Sequence, residues 1–204
     1  MKRSIFFLVF TSIYSSVFGN YLKLNPDSNT IYSWSDSILW KVDFTPDTTI
    51  NFILMLNSPT SITKNLGDVS RYRDSTQDLP DVYLKGDLSY IRLVFFPGDV
   101  KNNVMQFEVG KSETKLNKRY FPGGYKYIQT ESYIEIGDSL PWIISRKGKN
   151  YTIIPSHEFR ILRYEINDFD TNPFLKRYNM PVYFAEYTFK NDELVKFIFG
   201  FEYP

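Results

Sequence analysis

The feature that most constrains this chain is a recurring run of short segments in which every second residue is apolar. "SILWKVDF" at 37–44 sets Ile38, Trp40, Val42 and Phe44 on one side of an extended backbone. "SYIRLVFF" (89–96), "VMQFEV" (104–109), "HEFRILRYEI" (157–166), "PVYFAEYTF" (181–189) and "LVKFIFGF" (194–201) repeat that style. Successive side chains of a strand point to opposite faces, so this spacing predicts half-buried strands. Turn residues punctuate the runs, with "NPDSN" after "YLKL" (21–24), "PGDVKNN" between 89–96 and 104–109, and "KNDE" between the last two. "TINFILML" (49–56) is more continuously apolar and suits a strand covered on both faces. Shorter runs follow in "KYIQT" (126–130), "YIEI" (133–136), "PWIIS" (141–145) and "YTIIP" (151–155). No amphipathic helical pattern reaches ten residues beyond the N-terminus. Phe (18) and Tyr (16) are abundant, which favours strands again. The expected class is all-β.

The N-terminus reads as an export signal. Lys2 and Arg3 precede the apolar "SIFFLVFTSIY", and Val17 and Gly19 are small enough for a signal-peptidase site. Cleavage is expected after Gly19, with Asn20 opening the mature chain. No other apolar run is long enough to span a bilayer, and "LVKFIFGFEYP" is too short and too interrupted by Lys196 for a GPI-attachment tail. The expected location is extracellular. Net charge is +1, which points neither to nucleic acid nor to an anionic surface. Cysteine is absent, so a secreted chain of this kind has no disulfides, thiol nucleophile or thiolate metal site.

Two short echoes suggest a repeated unit. "IYSWSDSILWKV" (31–42) aligns with "YIEIGDSLPWII" (133–144) through Asp36/Asp138, Ser37/Ser139 and Trp40/Trp142. "VMQFEVG" (104–110) aligns with "LVKFIFG" (194–200) through Phe107/Phe197 and Gly110/Gly200. The charged, then Gly/Pro-rich "KSETKLNKRYFPGG" (111–124) suits a linker. The expected organisation is a signal peptide (1–19), an Ig-like β-sandwich (20–112), a linker (113–121) and a second, shorter Ig-like sandwich (122–204), with Trp40 and Trp142 as equivalent core residues.

The form "polar, Ser, apolar, X, Trp, apolar strand" resembles the Ig-like N-terminal domain of the yeast cell-wall β-1,6-glucan assembly family. The matching residues are Pro26, Ser37, Ile38, Trp40, Tyr90 and Phe107, and then Gly137, Ser139, Leu140, Trp142, Tyr183 and Phe197. The resemblance implies tandem antiparallel sandwiches and a wall context. The chain departs from that family in having no Cys, no Ser/Thr-rich stalk and no GPI tail.

Residues able to carry chemistry are few. His157 is the only histidine, stands beside Ser156 and has no nucleophile motif near it, so it reads as a loop residue. "NDFDTNP" spaces Asp168, Asp170 and Asn172 as a Ca²⁺ loop would, but Pro173 and Asn179 stand where the EF-hand needs Gly and an acid, so an Asx-rich turn is expected. Glu135, Glu165 and Glu186 are acids without a spacing that singles them out for glycoside hydrolysis. Asn150-Tyr151-Thr152 is the one N-glycosylation sequon, in the hairpin-like setting "RKGKN". Lys118-Arg119 offers a dibasic processing site in the linker. Tyr32 and Trp34 alternate away from Ile31 and Ser33; core or edge packing is the commoner outcome for such residues, and an exposed platform for a sugar ring is the binding alternative they offer.

These features predict no catalytic centre, no cofactor and no metal. The expected function is that of a secreted structural or adhesive protein of an extracellular matrix or a cell or spore wall, with wall polysaccharide or other extracellular proteins as partners. A secreted ligand-binding or effector protein acting on a host or cell-surface protein is the alternative, and a secreted hydrolase is third.

Overall fold

Alternation builds strands where the sequence places it, and the strands join across the expected domain boundary. The computed structural model describes residues 44–74, 79–99, 101–112 and 120–202. The expected leader with Gly19, the candidate platform residues Tyr32 and Trp34, Trp40, and the candidate processing pair Lys118-Arg119 lie outside the described residues. In chain order the elements are β1 (Thr49–Ile50), β2 (Leu54–Met55), α1 (Pro59–Leu66), a 3-10 turn (Ser70–Tyr72), β3 (Asp81–Gly86), β4 (Ser89–Phe95), β5 (Val104–Lys111) and β6 (Tyr120–Tyr125). They continue with α2 (Leu140–Lys147), β7 (Thr152–Ile154), β8 (Arg160–Ile166), α3 (Pro173–Tyr178), β9 (Tyr183–Lys190) and β10 (Glu193–Phe201).

Among the described residues eight strands form one sheet in the order β6-β3-β4-β5-β10-β9-β8-β7, and β1 and β2 form a separate two-stranded ribbon. All neighbours in the large sheet are antiparallel except β3 and β6, which are parallel. The protein is thus mostly β, with short helices. The expectation of two separate sandwiches is corrected here. β5 and β10, the closing strands of the two halves, pair at the middle of the sheet, and Asp43–Pro204 forms one compact unit. The boundary fails because the supposed linker ends in a strand: Tyr120 and Phe121 pair with Tyr83 and Leu84.

Register reveals an internal two-fold relation. Phe107 faces Phe199 and Val109 faces Phe197, so exchanging β5 and β10 carries one pair onto the other. Phe107 and Phe197 are therefore equivalent, as are Gly110 and Gly200, which is the second of the two sequence echoes. One strand further out, Leu93 lies opposite Phe107 and Tyr187 opposite Phe197. Beyond them, Val82 pairs with Leu93 and Leu162 with Tyr187. All six positions are buried.

The helices obey the same relation. α1 has Ser58 as N-cap, Pro59 in its first turn, Ile62 buried and Gly67 at its C-cap; α2 has Ser139, Pro141, Ile143 and Gly148 in those roles. Each cap serine accepts a hydrogen bond from the N–H three residues on, and each capping glycine takes a positive φ, which costs glycine little. Among the described residues the structural counterpart of "GDSLPWII" is therefore "LNSPTSIT" (56–63). Trp142 accordingly sits on a helix with 38% of its surface exposed and the Arg146 guanidinium 4.1 Å above its ring, so it is not a core strand residue.

The core lies on one face of the sheet. Tyr164, Tyr183, Tyr187, Phe107, Phe197, Phe199 and Phe201 are fully buried there. Each such side chain contributes about 1.5–3 kcal/mol relative to exposure. Among the described residues they are covered by a layer of turns, short helices and the two-stranded ribbon, and no second large sheet is present. Phe44 packs on Tyr164 and Tyr183 at 5.1 and 6.0 Å, and Phe174 of α3 packs on Tyr183 and Phe201 at 5.2 and 6.1 Å. The Tyr164 hydroxyl donates to the Gly148 carbonyl at the end of α2. The opposite face is polar and half-buried, with Arg92 reaching Asp81 (2.7 Å) and Glu108 (3.3 Å).

Candidate functional site

Two hairpin turns, one from each half, meet at the surface of the covering layer. In the first, Ile53 N–H donates to the Ile50 carbonyl at 3.1 Å, and the central residues Asn51 and Phe52 have φ of 52° and 61°. Positive φ at both central positions is the type I′ geometry, in which the second position favours glycine. In the second, Tyr133 N–H donates to the Thr130 carbonyl and Thr130 N–H to that of Ile134, both at 3.0 Å, and Tyr133 has φ of 60°. There too, a glycine would be unstrained. Instead an aromatic residue occupies each position, and a bulky side chain at positive φ is an outlier that the surroundings must enforce.

Those surroundings are visible. Asn51 N–H donates to the Gln129 carbonyl (2.8 Å), Gln129 N–H to the Asn51 side-chain oxygen (3.0 Å), and the Asn51 amide to the Tyr127 carbonyl (2.8 Å). The Glu131 carboxylate takes four hydrogen bonds, from the backbone N–H and the hydroxyl of both Thr48 and Thr49. Beneath them lies a buried ion pair. Lys147 Nζ is 2.7 Å from Asp47 Oδ2 and donates to the Thr45 carbonyl (2.7 Å) and Ser132 Oγ (2.9 Å). Ser132 Oγ donates to Asp47 Oδ1 (2.6 Å), Tyr187 to Asp47 Oδ2 (3.4 Å), and Tyr183 to the Asp47 carbonyl (2.7 Å). Burial, and then the nearby Asp47 charge, push the Tyr183 and Tyr187 hydroxyls well above the usual tyrosine range.

On this base the Phe52 and Tyr133 rings contact each other at 5.6 Å, and 51% and 56% of their respective residue surfaces face solvent. Tyr127, whose carbonyl holds Asn51, is 64% exposed, and Lys126 Nζ lies 5.2 Å from its ring. Ile53 and Met55 on the same ribbon are exposed as well. The group is an apolar and aromatic surface with tyrosine hydroxyls, on a base of hydrogen-bonded turns. Sequence reasoning missed it because "TINFILML" and "YIEI" read as strands. The signal available was an Asn followed by a bulky residue in a run that has to turn.

The buried Ser132 and Lys147 do not make a nucleophile. All three ammonium donors are taken, and the Ser132 hydroxyl hydrogen is given to Asp47. His157 lies in an exposed bend, beside Ser156, whose hydroxyl accepts from Phe159 N–H. Asp168 caps its own turn through Thr171, and Asn172 is the N-cap of α3, so the two serve the local backbone. Among the described residues no group of three or more His, Cys, Asp or Glu is placed to hold a metal ion. Glu165 and Glu186 do converge, on Arg163 with Glu202, at 2.8 and 2.7 Å for the first two. All three carboxylates pair with one guanidinium, stacked 4.7 Å over Phe184, while Glu135 lies apart, bridged to Gln129 just past the second turn. Asn150 is exposed in the connection from α2 to β7. Among the described residues no helix is long and apolar enough to cross a membrane. No family model, curated protein or solved structure matches the chain.

Proposed function

We propose that this is a secreted, non-catalytic binding protein of an extracellular matrix or wall, and that the Phe52–Tyr133 platform seats sugar rings of a wall polysaccharide. The observation that carries the reading is the placement of two exposed aromatic residues, in contact, at turn positions where glycine would be unstrained. Aromatic rings with hydroxyl-bearing edges suit the apolar face and polar rim of a pyranose. The hydrogen-bonded base under both turns lowers the ordering cost of binding. The expected leader at 1–19 supports export, and the exported chain, being without cysteine, relies on its core instead of disulfides.

The test is co-sedimentation of the full chain with insoluble β-glucan, chitin and cellulose, beside Phe52→Gly/Tyr133→Gly. Retention on one polymer, lost in the double variant, is expected. Retention on none, or retention unchanged in the variant, overturns the reading. In the second case the exposed Ile53 and Met55 direct attention to a protein partner.

A further inference from the structure

The two edges of the sheet are protected differently. At one edge β6 runs parallel to β3 and contains Pro122, which has no N–H to offer an incoming strand. At the other edge, among the described residues, β7 pairs only with β8; it carries neither charge nor proline, and exposes 61% of Ile153. An apolar, uncharged edge strand is a template for another chain. Among the described residues its evident protection is shortness, since Pro155 follows it directly. Asn150-Tyr151-Thr152 overlaps this edge: Asn150 is exposed two residues before Thr152, the first residue of β7.

We infer that Asn150 carries an N-linked glycan whose bulk screens the outer edge of β7 from strand addition. The inference rests on the secretory route proposed above. The co-reactant is an oligosaccharide on a lipid diphosphate. The Asn150 side-chain nitrogen bonds to the anomeric carbon, the bond from that carbon to the diphosphate oxygen breaks, and the lipid diphosphate leaves. One amide proton passes to solvent, and nothing is oxidised or reduced. In the folded protein the Thr152 hydroxyl donates to the Arg163 carbonyl (3.4 Å) and Tyr151 packs edge-on against Tyr164 (5.7 Å). Transfer therefore precedes the pairing of β7 with β8, and the glycan stays outside because Asn150 itself remains exposed.

The experiment is expression of the full chain in eukaryotic cells, with its own leader and, in parallel, behind an established one. The secreted protein is expected to run as a single-glycan form that a glycan-removing amidase collapses. Thr152→Ser keeps the form, and Asn150→Gln and Thr152→Ala lose it. Export only behind the established leader overturns the proposed secretory route and leaves the sequon to be read on that material. An unshifted secreted protein overturns the modification. For the screen, glycosylated protein is expected to stay monomeric by light scattering where Asn150→Gln elutes as dimers or larger, with Asn150→Gln/Ile153→Lys returning to monomer. Should Asn150→Gln fail to fold, folded wild type stripped of its glycan replaces it. A stripped protein as monomeric as the glycosylated one overturns the screen.

Discussion

Lys147 Nζ lies 2.7 Å from Asp47 Oδ2, and neither side chain has exposed surface. Removing one member leaves the other charge buried without its partner, which costs about 3–5 kcal/mol. Asp47→Asn and Lys147→Met are each expected to lose that much in urea unfolding. The double variant should lose clearly less than the two added together, because it leaves no orphan charge. Single variants within about 1 kcal/mol of wild type would show that the pair does not hold the covering layer.

The strain in the paired turns predicts an inverted ranking. Left-handed backbone costs an ordinary residue about 1–2 kcal/mol, a cost glycine does not share. The lost ring contact is worth about 0.5–1.5 kcal/mol. Phe52→Gly should therefore melt within a few degrees of wild type, while Phe52→Ala, which keeps the strain and loses the ring, melts lower. Thermal melts with alanine above glycine would refute strain at this turn.

Alkali should unfold the protein through its buried tyrosines. Burial raises Tyr83 from 10.0 to about 12 and holds Tyr183 and Tyr187 well above 10.0. These groups stay neutral in the fold while the unfolded chain ionises near pH 10. Their contribution is complete below pH 10 and is lost as pH rises through 10 to 12 and beyond. Tyrosinate absorbance and circular dichroism are expected to change together in that window. Smooth titration near pH 10 with the fold intact would contradict the burial.

The equivalent glycines Gly110 and Gly200 should not tolerate alanine equally. A Cβ on Gly200, where φ is 150°, would fall inside contact distance of the Met105 carbonyl oxygen. A Cβ on Gly110 would meet the Tyr90 ring at 2.6–2.7 Å, and that side chain can rotate away. Gly200→Ala is expected to cost about 2–4 kcal/mol and Gly110→Ala about half as much. Equal losses in denaturant titrations would remove the distinction.

Strand content was legible where alternation was clean. β4, β5, β9 and β10 fall where "SYIRLVFF", "VMQFEV", "PVYFAEYTF" and "LVKFIFGF" place them. Pairing was not legible, since period two fixes which face a residue takes but not which strand lies beside it. Phe107 and Phe197 could be read as equivalent but not as neighbours in one sheet. α2 was misread because "LPWII" is as apolar as a strand, although Ser139, Pro141 and Gly148 spell a capped helix. The platform stayed hidden because its turns carry Phe52 and Tyr133 where turn chemistry expects glycine.

The sheet's middle seam also sets a schedule. β10 is the last described strand in the chain, yet it stands between β5 and β9 at the centre. A chain made from its N-terminal end completes β3, β4 and β5 and then must wait, with Phe107 and Val109 uncovered, for Phe197 and Phe199 to arrive. Throughout that interval the growing polypeptide exposes the long apolar edge that the finished molecule conceals, and a holding factor in its cell has most to grasp then.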